Sequence, residues 1–232
     1  MSANLYEIRK LELSNTYWIL SEAQKYLATK NIFVGNVVYG ERLLKIENYE
    51  YRTWDPFRSK LAAAIYKGFN RPLIKDGDRV LYLGAASGTT ASHVSDVVNL
   101  NGIVYCIEFS ARALRELLNV TRIRYNMIPI LADARFPESY RYFVSEVDVI
   151  YQDVAQPNQA EILVNNAKFY LKRNGYIFLA IKARSIDVTK SPREIFKKEI
   201  ETLEQNGFKI IDTILLDPYD KDHAMVIAQL ED

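Results

Sequence analysis

The sequence predicts an α/β fold in which a mostly parallel sheet of seven strands follows a small β-rich N-terminal domain. Between residues 79 and 205, short apolar runs alternate with helix-forming segments, which is the pattern of parallel strands joined by helices. The last two apolar runs, 209–216 and 224–230, have only a loop between them and are therefore expected to pair antiparallel. This pair gives the predicted sheet one reversed edge strand.

Residues 1–55 are predicted to form a mostly antiparallel domain of four or five strands. The β-prone runs lie at residues 5–13, 17–20, 32–34 and 43–46. The turn residues among them are Gly35-Asn36, Gly40-Glu41 and Glu47-Asn48. Asp55-Pro56 closes this region, and a helix rich in alanine is expected to begin near Phe57. The two domains are therefore placed at residues 1–55 and 56–232.

The larger domain is predicted to alternate regularly between strands and helices. Its five parallel strands are expected at residues 79–83, 103–107, 127–131, 147–151 and 176–181. Its later helices are expected at residues 90–98, 111–120, 158–171 and 192–205. Asn174-Gly175 and Asn206-Gly207 follow the last two helices, and such pairs are typical stops at a helix C-terminus. Helices between successive parallel strands cover both faces of the sheet.

Composition excludes several classes of protein. The 232 residues are 49% hydrophobic and 25% charged, as in an ordinary globular protein rather than a disordered or fibrous one. No apolar run reaches about 18 residues, so no membrane-spanning helix is expected, and the first residues lack the features of a secretory signal. A single cysteine, Cys106, cannot form an internal disulfide, which suits a reducing cytoplasm. Two histidines argue against a zinc enzyme.

The balance of charges bears on how a nucleic acid could be bound. Thirty Lys and Arg residues against 29 Asp and Glu residues give a formal net charge of +1. A protein that holds nucleic acid alone, through many phosphate contacts, usually has an excess of basic residues. If the substrate is a nucleic acid, we therefore expect other components to help to hold it.

Residues that could bind a ligand follow four successive predicted strands. The small-residue turn Gly84–Gly88 follows the first strand, and Glu108 ends the second, close to the spacing of about 20 residues expected for an acid that binds ribose hydroxyls. Asp133 follows the third strand and Asp153 the fourth. In an open α/β sheet, ligands bind at the carboxyl ends of the strands. Each feature alone is weak, but together they indicate a cofactor that contains a nucleoside.

The sequence of the Gly84–Gly88 turn argues against two kinds of cofactor. The turn does not read G-x-G-x-x-G, the fingerprint that binds the pyrophosphate of NAD, and the chain has no P-loop lysine motif for a nucleoside triphosphate. An adenosine cofactor without phosphate fits better, and S-adenosylmethionine is the usual one. The larger domain is therefore predicted to be a Rossmann-like seven-stranded sheet of an S-adenosylmethionine-dependent methyltransferase.

Distinctive motifs lie along nearly the whole chain, at residues 82–96 (YLGAASGTTASHVSD), 108–110 (EFS), 132–135 (ADAR), 153–157 (DVAQP), 182–185 (KARS), 222–224 (DHA), 36–41 (NVVYGE) and 51–63 (YRTWDPFRSKLAA). These motifs resemble those of the fibrillarin family. The resemblance implies a 2′-O-ribose methyltransferase that acts on ribosomal RNA and, in archaea, also on transfer RNA. It implies sites chosen by a box C/D guide RNA and a part in the processing of both RNAs.

Two departures from the wider pattern refine this expectation. The Gly/Arg-rich N-terminal tail of eukaryotic fibrillarins is missing, so the chain resembles the archaeal form, for which a cytoplasmic location is expected. The acid that many methyltransferases have just before the first glycine is replaced by Tyr82-Leu83.

The resemblance also implies the residues of the site. Fibrillarins resemble other 2′-O-methyltransferases in a Lys-Asp-Lys set completed by a fourth polar residue, and the matching positions are Lys60, Asp153, Lys182 and His223. A ribose hydroxyl is a poor nucleophile, so Lys182 is the predicted base and Lys60 the cation that assists its deprotonation. Asp153 orients an amine, and His223 completes the hydrogen-bond network on the substrate side. The implied cofactor-binding residues are Gly84, Thr89, Thr90, Glu108, Phe109, Asp133, Ala134, Asp153, Val154, Ala155 and Gln156.

The resemblance implies that the enzyme works inside a ribonucleoprotein and not at a membrane. The implied partners are the box C/D guide RNA, the substrate rRNA or tRNA, a Nop56/58-type scaffold protein and a kink-turn-binding ribosomal-type protein. Two alternatives stay open at this point. One is a methyltransferase with a protein or small-molecule acceptor, and the other is a non-catalytic cofactor-binding scaffold of an RNA particle.

Overall fold

The computed structural model describes residues 6–231, and they form two separate sheets. The first sheet has five antiparallel strands in the order β1-β2-β3-β5-β4. They are β1 (Glu7–Lys10), β2 (Thr16–Leu20), β3 (Lys25–Lys30), β4 (Leu43–Ile46) and β5 (Tyr49–Thr53). The predicted small antiparallel sheet is thus confirmed. The predicted run at residues 5–13 contains β1, while Leu5 lies outside the described residues.

The predicted strand at residues 32–34 is wrong, and β3 has no counterpart in the sequence prediction. The backbone N–H groups of residues 32 and 33 donate to side chains, Ile32 to Asp96 Oδ1 (3.2 Å) and Phe33 to Asn31 Oδ1 (3.1 Å). This segment therefore forms a loop although its residues are β-prone. Strand β3 begins and ends with lysine, and only its centre is buried, so its apolar pattern is short.

The second sheet has seven strands in the order β11-β12-β10-β9-β6-β7-β8. They are β6 (Arg79–Leu83), β7 (Ile103–Glu108), β8 (Met127–Leu131), β9 (Val147–Gln152), β10 (Leu171–Lys182), β11 (Phe208–Leu215) and β12 (His223–Leu230). Strands β6 to β10 pair in parallel, as predicted.

The position of the reversed strand differs from the prediction. It is β12, which lies one place in from the edge and pairs antiparallel with β10 on one side and β11 on the other. The middle of β12 is buried, whereas β11 is mostly half-buried or exposed. The more apolar strand therefore takes the inner position, and β11 forms the edge.

Six α-helices accompany the strands in the described part of the chain. They are α1 (Lys60–Tyr66), α2 (Thr89–Val98), α3 (Ala111–Thr121), α4 (Gln159–Tyr170), α5 (Ala183–Ile186) and α6 (Pro192–Gln205). Helix α1 begins later than predicted because Ser59 is its N-cap and accepts a hydrogen bond from the Ala62 N–H (3.3 Å). The predicted domain boundary after residue 55 lies between β5 and α1, and it stays a prediction.

The predicted helix stop at Asn174-Gly175 is wrong. Helix α4 already ends at Tyr170, and both residues lie inside β10. Asn174 has a φ of 58°, and the register between β10 and β9 shifts between Leu171 and Tyr176. Turn-forming residues therefore make an irregularity within a strand here rather than end a helix.

Both faces of the second sheet are covered by apolar cores. Alternate residues of β6 belong to different buried clusters, Val80 and Tyr82 to one and Leu81 and Leu83 to the other. Because successive side chains of a strand point to opposite faces, the sheet is packed on both sides, as parallel sheets are.

A buried network of charges joins the first sheet to α2. Arg52 of β5 contacts Asp96 of α2 (Nη1–Oδ2, 2.8 Å), and Arg124 contacts the other oxygen of Asp96 (Nη1–Oδ1, 2.8 Å). Glu41 pairs with Arg52 at 2.6 Å, and all four side chains are at most 1% exposed. Such buried charges depend on one another, because removal of one leaves its partners uncompensated.

His93 of α2 extends this network. Its Nδ1 lies 2.8 Å from Thr29 Oγ1, its Nε2 lies 2.8 Å from the Tyr39 hydroxyl, and its ring stacks on Trp54. Burial lowers the pKa of His93 well below its usual value, so the ring is neutral. Since α2 begins directly after the Gly84–Gly88 turn, the first sheet fixes the position of that turn.

Candidate active site

The Gly84–Gly88 turn lies against the end of β9. Gly84 has a φ of +84°, and a Cβ atom added there would lie 2.7 Å from the carbonyl oxygen of Asp153. Strands β6 and β9 are parallel neighbours with Leu83 opposite Gln152, so their ends arrive at the same point of the sheet edge. Only glycine permits this approach, and it brings the turn to Asp153.

Glu108, the last residue of β7, is held by the same turn. Its Oε2 accepts a hydrogen bond from the Ala86 N–H (2.9 Å), and its Oε1 accepts one from the Ser110 N–H (2.8 Å). Asp133, after β8, pairs with Arg135 (Oδ2–Nη2, 2.6 Å), and these hydrogen bonds lower the pKa of its carboxyl group. Both carboxylates are therefore fixed at the carboxyl ends of adjacent strands.

A cavity of about 250 Å³ opens between these strand ends. Its lining residues are Gly84, Ala86, Ile107, Glu108, Phe109, Ala132, Asp133, Ala134, Arg135, Asp153, Val154, Ala155, Gln156, Ile162 and Lys182. All the predicted cofactor-binding residues are among them except Thr89 and Thr90. A larger and more open depression, of about 500 Å³, lies between residues 36–39 and α3 and contains none of the predicted site residues.

Thr89 and Thr90 form the first turn of α2, outside the cavity lining. Thr90 is buried, and its Oγ1 donates a hydrogen bond to Ser59 Oγ (3.0 Å), the N-cap of α1. This contact links the start of α2, just after the Gly84–Gly88 turn, to the start of α1, the helix that carries Lys60.

The cavity has the features that adenosine requires. Ile107, Phe109 and Ala134 offer apolar surface, while Glu108 and Asp133 offer acceptor oxygens for hydroxyl and amino groups. No group of His, Cys, Asp and Glu side chains within residues 6–231 could hold a metal ion.

Lys60, Asp153 and Lys182 meet beside this cavity. Lys182 Nζ lies 2.9 Å from Asp153 Oδ1 and donates to the carbonyl oxygen of Asp153 (3.2 Å). Lys60 Nζ lies 3.2 Å from the same Oδ1. Burial raises the pKa of Asp153, but the two ammonium groups outweigh burial and hold it below its usual value. The carboxylate is thus charged and shared by both amines.

Asp220 connects this cluster to His223, and sequence reasoning missed it. Its Oδ2 lies 3.3 Å from Lys60 Nζ, and its Oδ1 lies 2.8 Å from His223 Nδ1. Burial raises the pKa of Asp220, but the hydrogen bond with His223 and the charge of Lys60 lower it below the usual value. Asp220 belongs to the loop before β12, whose proline and aspartates are explained by turn formation, so its sequence carries no separate signal.

The acidic partners also act on Lys60. Burial alone lowers the pKa of Lys60, but the charges of Asp153 and Asp220 together raise it above its usual value. The two lysines differ in their ion pairs: Lys60 contacts two carboxylates, and Lys182 contacts one.

The backbone at Lys182 is held by a second residue that sequence reasoning missed. Gln159 is fully buried, and its Oε1 accepts a hydrogen bond from the Lys182 N–H (2.9 Å). Gln152 Nε2 in turn donates to the carbonyl oxygen of Gln159 (2.7 Å). An amide at the start of α4 looks like an ordinary polar residue in sequence, and only the fold brings it to the end of β10.

The mixed sheet, the cavity at its carboxyl edge and the adjacent amines are those of an S-adenosylmethionine-dependent methyltransferase fold. Within that class the chain belongs to the fibrillarin family, whose model matches residues 8–232. No helix in the described residues is long and apolar enough to cross a membrane.

Relatives and solved structures agree with this assignment. The fibrillarin-like rRNA/tRNA 2′-O-methyltransferase of Sulfolobus acidocaldarius is 54% identical over 98% of this chain and 99% of its own. The crystal structure of Aeropyrum pernix fibrillarin with natively bound S-adenosyl-L-methionine superposes with a TM-score of 0.87, at 50% identity, over 97% of this chain and 100% of that one. A fibrillarin/Nop5p complex matches with a TM-score of 0.81, at 47% identity, over 88% and 93%.

Proposed function

We propose that this chain is an S-adenosylmethionine-dependent RNA methyltransferase that methylates ribose 2′-hydroxyls of rRNA and tRNA. The observation that carries the proposal is that Asp153 and Lys182 belong both to the cavity lining and to the cluster of amines. A cofactor bound in the cavity would then lie next to a ribose hydroxyl bound beside Lys60 and Lys182. The relative from Sulfolobus acidocaldarius bears the name of this activity.

S-adenosylmethionine, when bound, supplies a methyl group on a positively charged sulfur. We propose that Glu108 accepts hydrogen bonds from ribose hydroxyls and Asp133 accepts one from the adenine amino group, since both line the cavity. The other proposed binding residues are Gly84, Thr89, Thr90, Phe109, Ala134, Asp153, Val154, Ala155 and Gln156. Thr89 and Thr90 act from the start of α2, where backbone N–H groups and the helix dipole favour an anionic group such as a carboxylate.

The proposed catalytic residues are Lys60, Asp153, Lys182 and His223. The Asp153 carboxylate orients both amines, which places positive charge where the attacking ribose oxygen needs stabilisation. Methyl transfer is an in-line displacement, so alignment of the two reactants supplies much of the rate. The hydroxyl proton also needs an acceptor, which the sequence predicts to be Lys182.

The Lys182→Ala variant tests this site. We expect guided methylation to fall by about 100-fold or more, since an aligned acid–base or charge contact is worth about that much. Lys172→Ala is the matched control, because Lys172 pairs with Asp148 near the opposite edge of the sheet, away from the cavity. Cofactor binding is measured separately by calorimetry. Near-normal turnover of the Lys182→Ala variant would remove Lys182 from the reaction.

We propose further that a box C/D guide RNA selects the sites and that a Nop56/58-type scaffold and a kink-turn-binding ribosomal-type protein complete the particle, in the cytoplasm. The near-neutral charge supports the need for other components, and the fibrillarin/Nop5p complex supports a scaffold of that type. The purified chain with substrate RNA alone is expected to show negligible site-selective methylation. Efficient and selective turnover without guide and scaffold would contradict the proposal.

A further inference from the structure

The proton on the His223 ring can be assigned from its neighbours. Nδ1 lies 2.8 Å from Asp220 Oδ1 and 2.7 Å from the carbonyl oxygen of Lys221. Both of these atoms accept hydrogen bonds and neither donates one. Nδ1 therefore carries a proton, which leaves Nε2 with the lone pair in the neutral ring.

No group within residues 6–231 forms a hydrogen bond with His223 Nε2. His223 is the cross-strand partner of Lys182 in the antiparallel β10–β12 pair. Directly opposite residues of such a pair project from the same face of the sheet, so His223 lies next to the amine cluster. Its side chain is 20% exposed, which leaves it accessible from solvent.

The two amines have different surroundings from this ring nitrogen. Lys60 and Lys182 each contact a charged carboxylate, to which an amine binds as a hydrogen-bond donor. The Nε2 lone pair is therefore open to accept a proton, whereas both amines are occupied as donors.

We propose that His223 accepts the proton of the ribose hydroxyl through Nε2 and that Asp220 is the positioning residue that holds His223 for this task. The inference rests on the proposed function. The ribose oxygen forms a bond to the methyl carbon, the carbon–sulfur bond breaks with its electron pair left on sulfur, and the hydroxyl proton passes to Nε2. The resulting imidazolium is stabilised by Asp220, while Lys60 and Lys182 act as the neighbouring cations.

The tautomer is tested without any catalysis, by ¹⁵N NMR of the free protein. The chain has two histidines, so the spectrum contains His223 and the buried His93 as an internal reference. Neutral His223 is expected in the Nδ1–H form, and Asp220→Ala is expected to convert only part of it to the Nε2–H form, because the Lys221 carbonyl still accepts from Nδ1. An Nε2–H ring in the unmodified protein would overturn the proposal, whatever the activity.

The proton acceptor is tested by the pH dependence of single-turnover methylation in the guided particle. The groups around His223 are Asp220, Lys182 across the strand pair, Lys60 through Asp220, and Asp222, which pairs with Arg184. The rate is expected to rise with pH through one ionisation and then level off. Asp220→Asn removes the anion beside the ring, so the rise should move to lower pH and the plateau fall about 10- to 100-fold.

Asp212→Asn, on the edge strand β11, is the control and should leave both the rise and the plateau unchanged. A rise that Asp220→Asn does not move would assign the proton to a group other than His223 and overturn the proposal. Failure of the proposed function would look different. It would appear as absence of guided RNA methylation in the unmodified protein, with the NMR result for His223 still as expected.

Discussion

The side-chain nitrogen of Lys182 lies 2.9 Å from Oδ1 of Asp153, although 29 positions separate the two residues in the chain. Asp153 follows β9 and Lys182 ends β10, and these strands are parallel neighbours. The pair therefore results from topology, since parallel strands bring their carboxyl ends to one edge. The cavity lies at the same edge, so the fold places the Asp153–Lys182 ion pair in the cavity lining.

Asp153→Asn is expected to reduce guided methylation by about 100-fold or more, because it removes the anion that orients both lysines. Single-turnover rates at saturating cofactor measure this effect. Cofactor affinity should change much less than the rate. A variant that retains its rate but loses affinity would show that Asp153 serves binding alone.

Gly84→Ala is expected to abolish measurable cofactor binding and to lower stability by about 2–5 kcal/mol, because backbone strain at a φ of +84° adds to the clash of the new Cβ 2.7 Å from a carbonyl oxygen. Gly207→Ala is the matched control. Gly207 has nearly the same φ, +83°, but nothing lies within 4 Å of an added Cβ, so it isolates the backbone strain of about 1–2 kcal/mol. Equal cofactor affinities in the two variants would show that the close approach at Gly84 is irrelevant.

Asp96→Asn is expected to destabilise the protein by about 3–5 kcal/mol, since Glu41 still pairs with Arg52 but the buried charge of Arg124 loses its carboxylate. Urea unfolding followed by tryptophan fluorescence measures the loss. Glu7→Gln breaks an exposed ion pair with Arg9 and should leave the unfolding midpoint unchanged. Equal midpoints for the two variants would contradict the claim that the buried network fastens the first sheet to α2.

The charged cluster should also respond to acid in a defined direction. The folded-state pKa values of Asp153 and Asp220 lie below their usual values. Their stabilising contribution is therefore complete above the unfolded-state value of about 3.9 and is lost as the pH falls through the folded-state values. The stability difference between the native protein and the Asp153→Asn/Asp220→Asn variant should shrink as the pH falls from about 4 to about 2, as measured by thermal unfolding. A difference that stays constant over this range would contradict the assignment.

The larger sheet and most of the cavity could be predicted from sequence, because apolar strands followed by acids or glycine define the carboxyl edge of a parallel sheet. Glu108, Asp133 and Asp153 are of this kind. The roles of Asp220 and Gln159 could not be predicted from sequence, since they arise from contacts with Lys60, His223 and Lys182 that no local pattern encodes. The strand prediction for residues 32–34 failed for the same reason, because Asp96, which is distant in sequence, accepts a hydrogen bond from the Ile32 N–H.

The most direct test of the account is the position of the methyl group after guided reconstitution with labelled cofactor. Alkaline hydrolysis of the product RNA should show a single protected ribose at the nucleotide selected by the guide. A guide shifted by one nucleotide should move the protected position by one. Label found on a base or on protein, or at a position that does not follow the guide, would contradict the central claim.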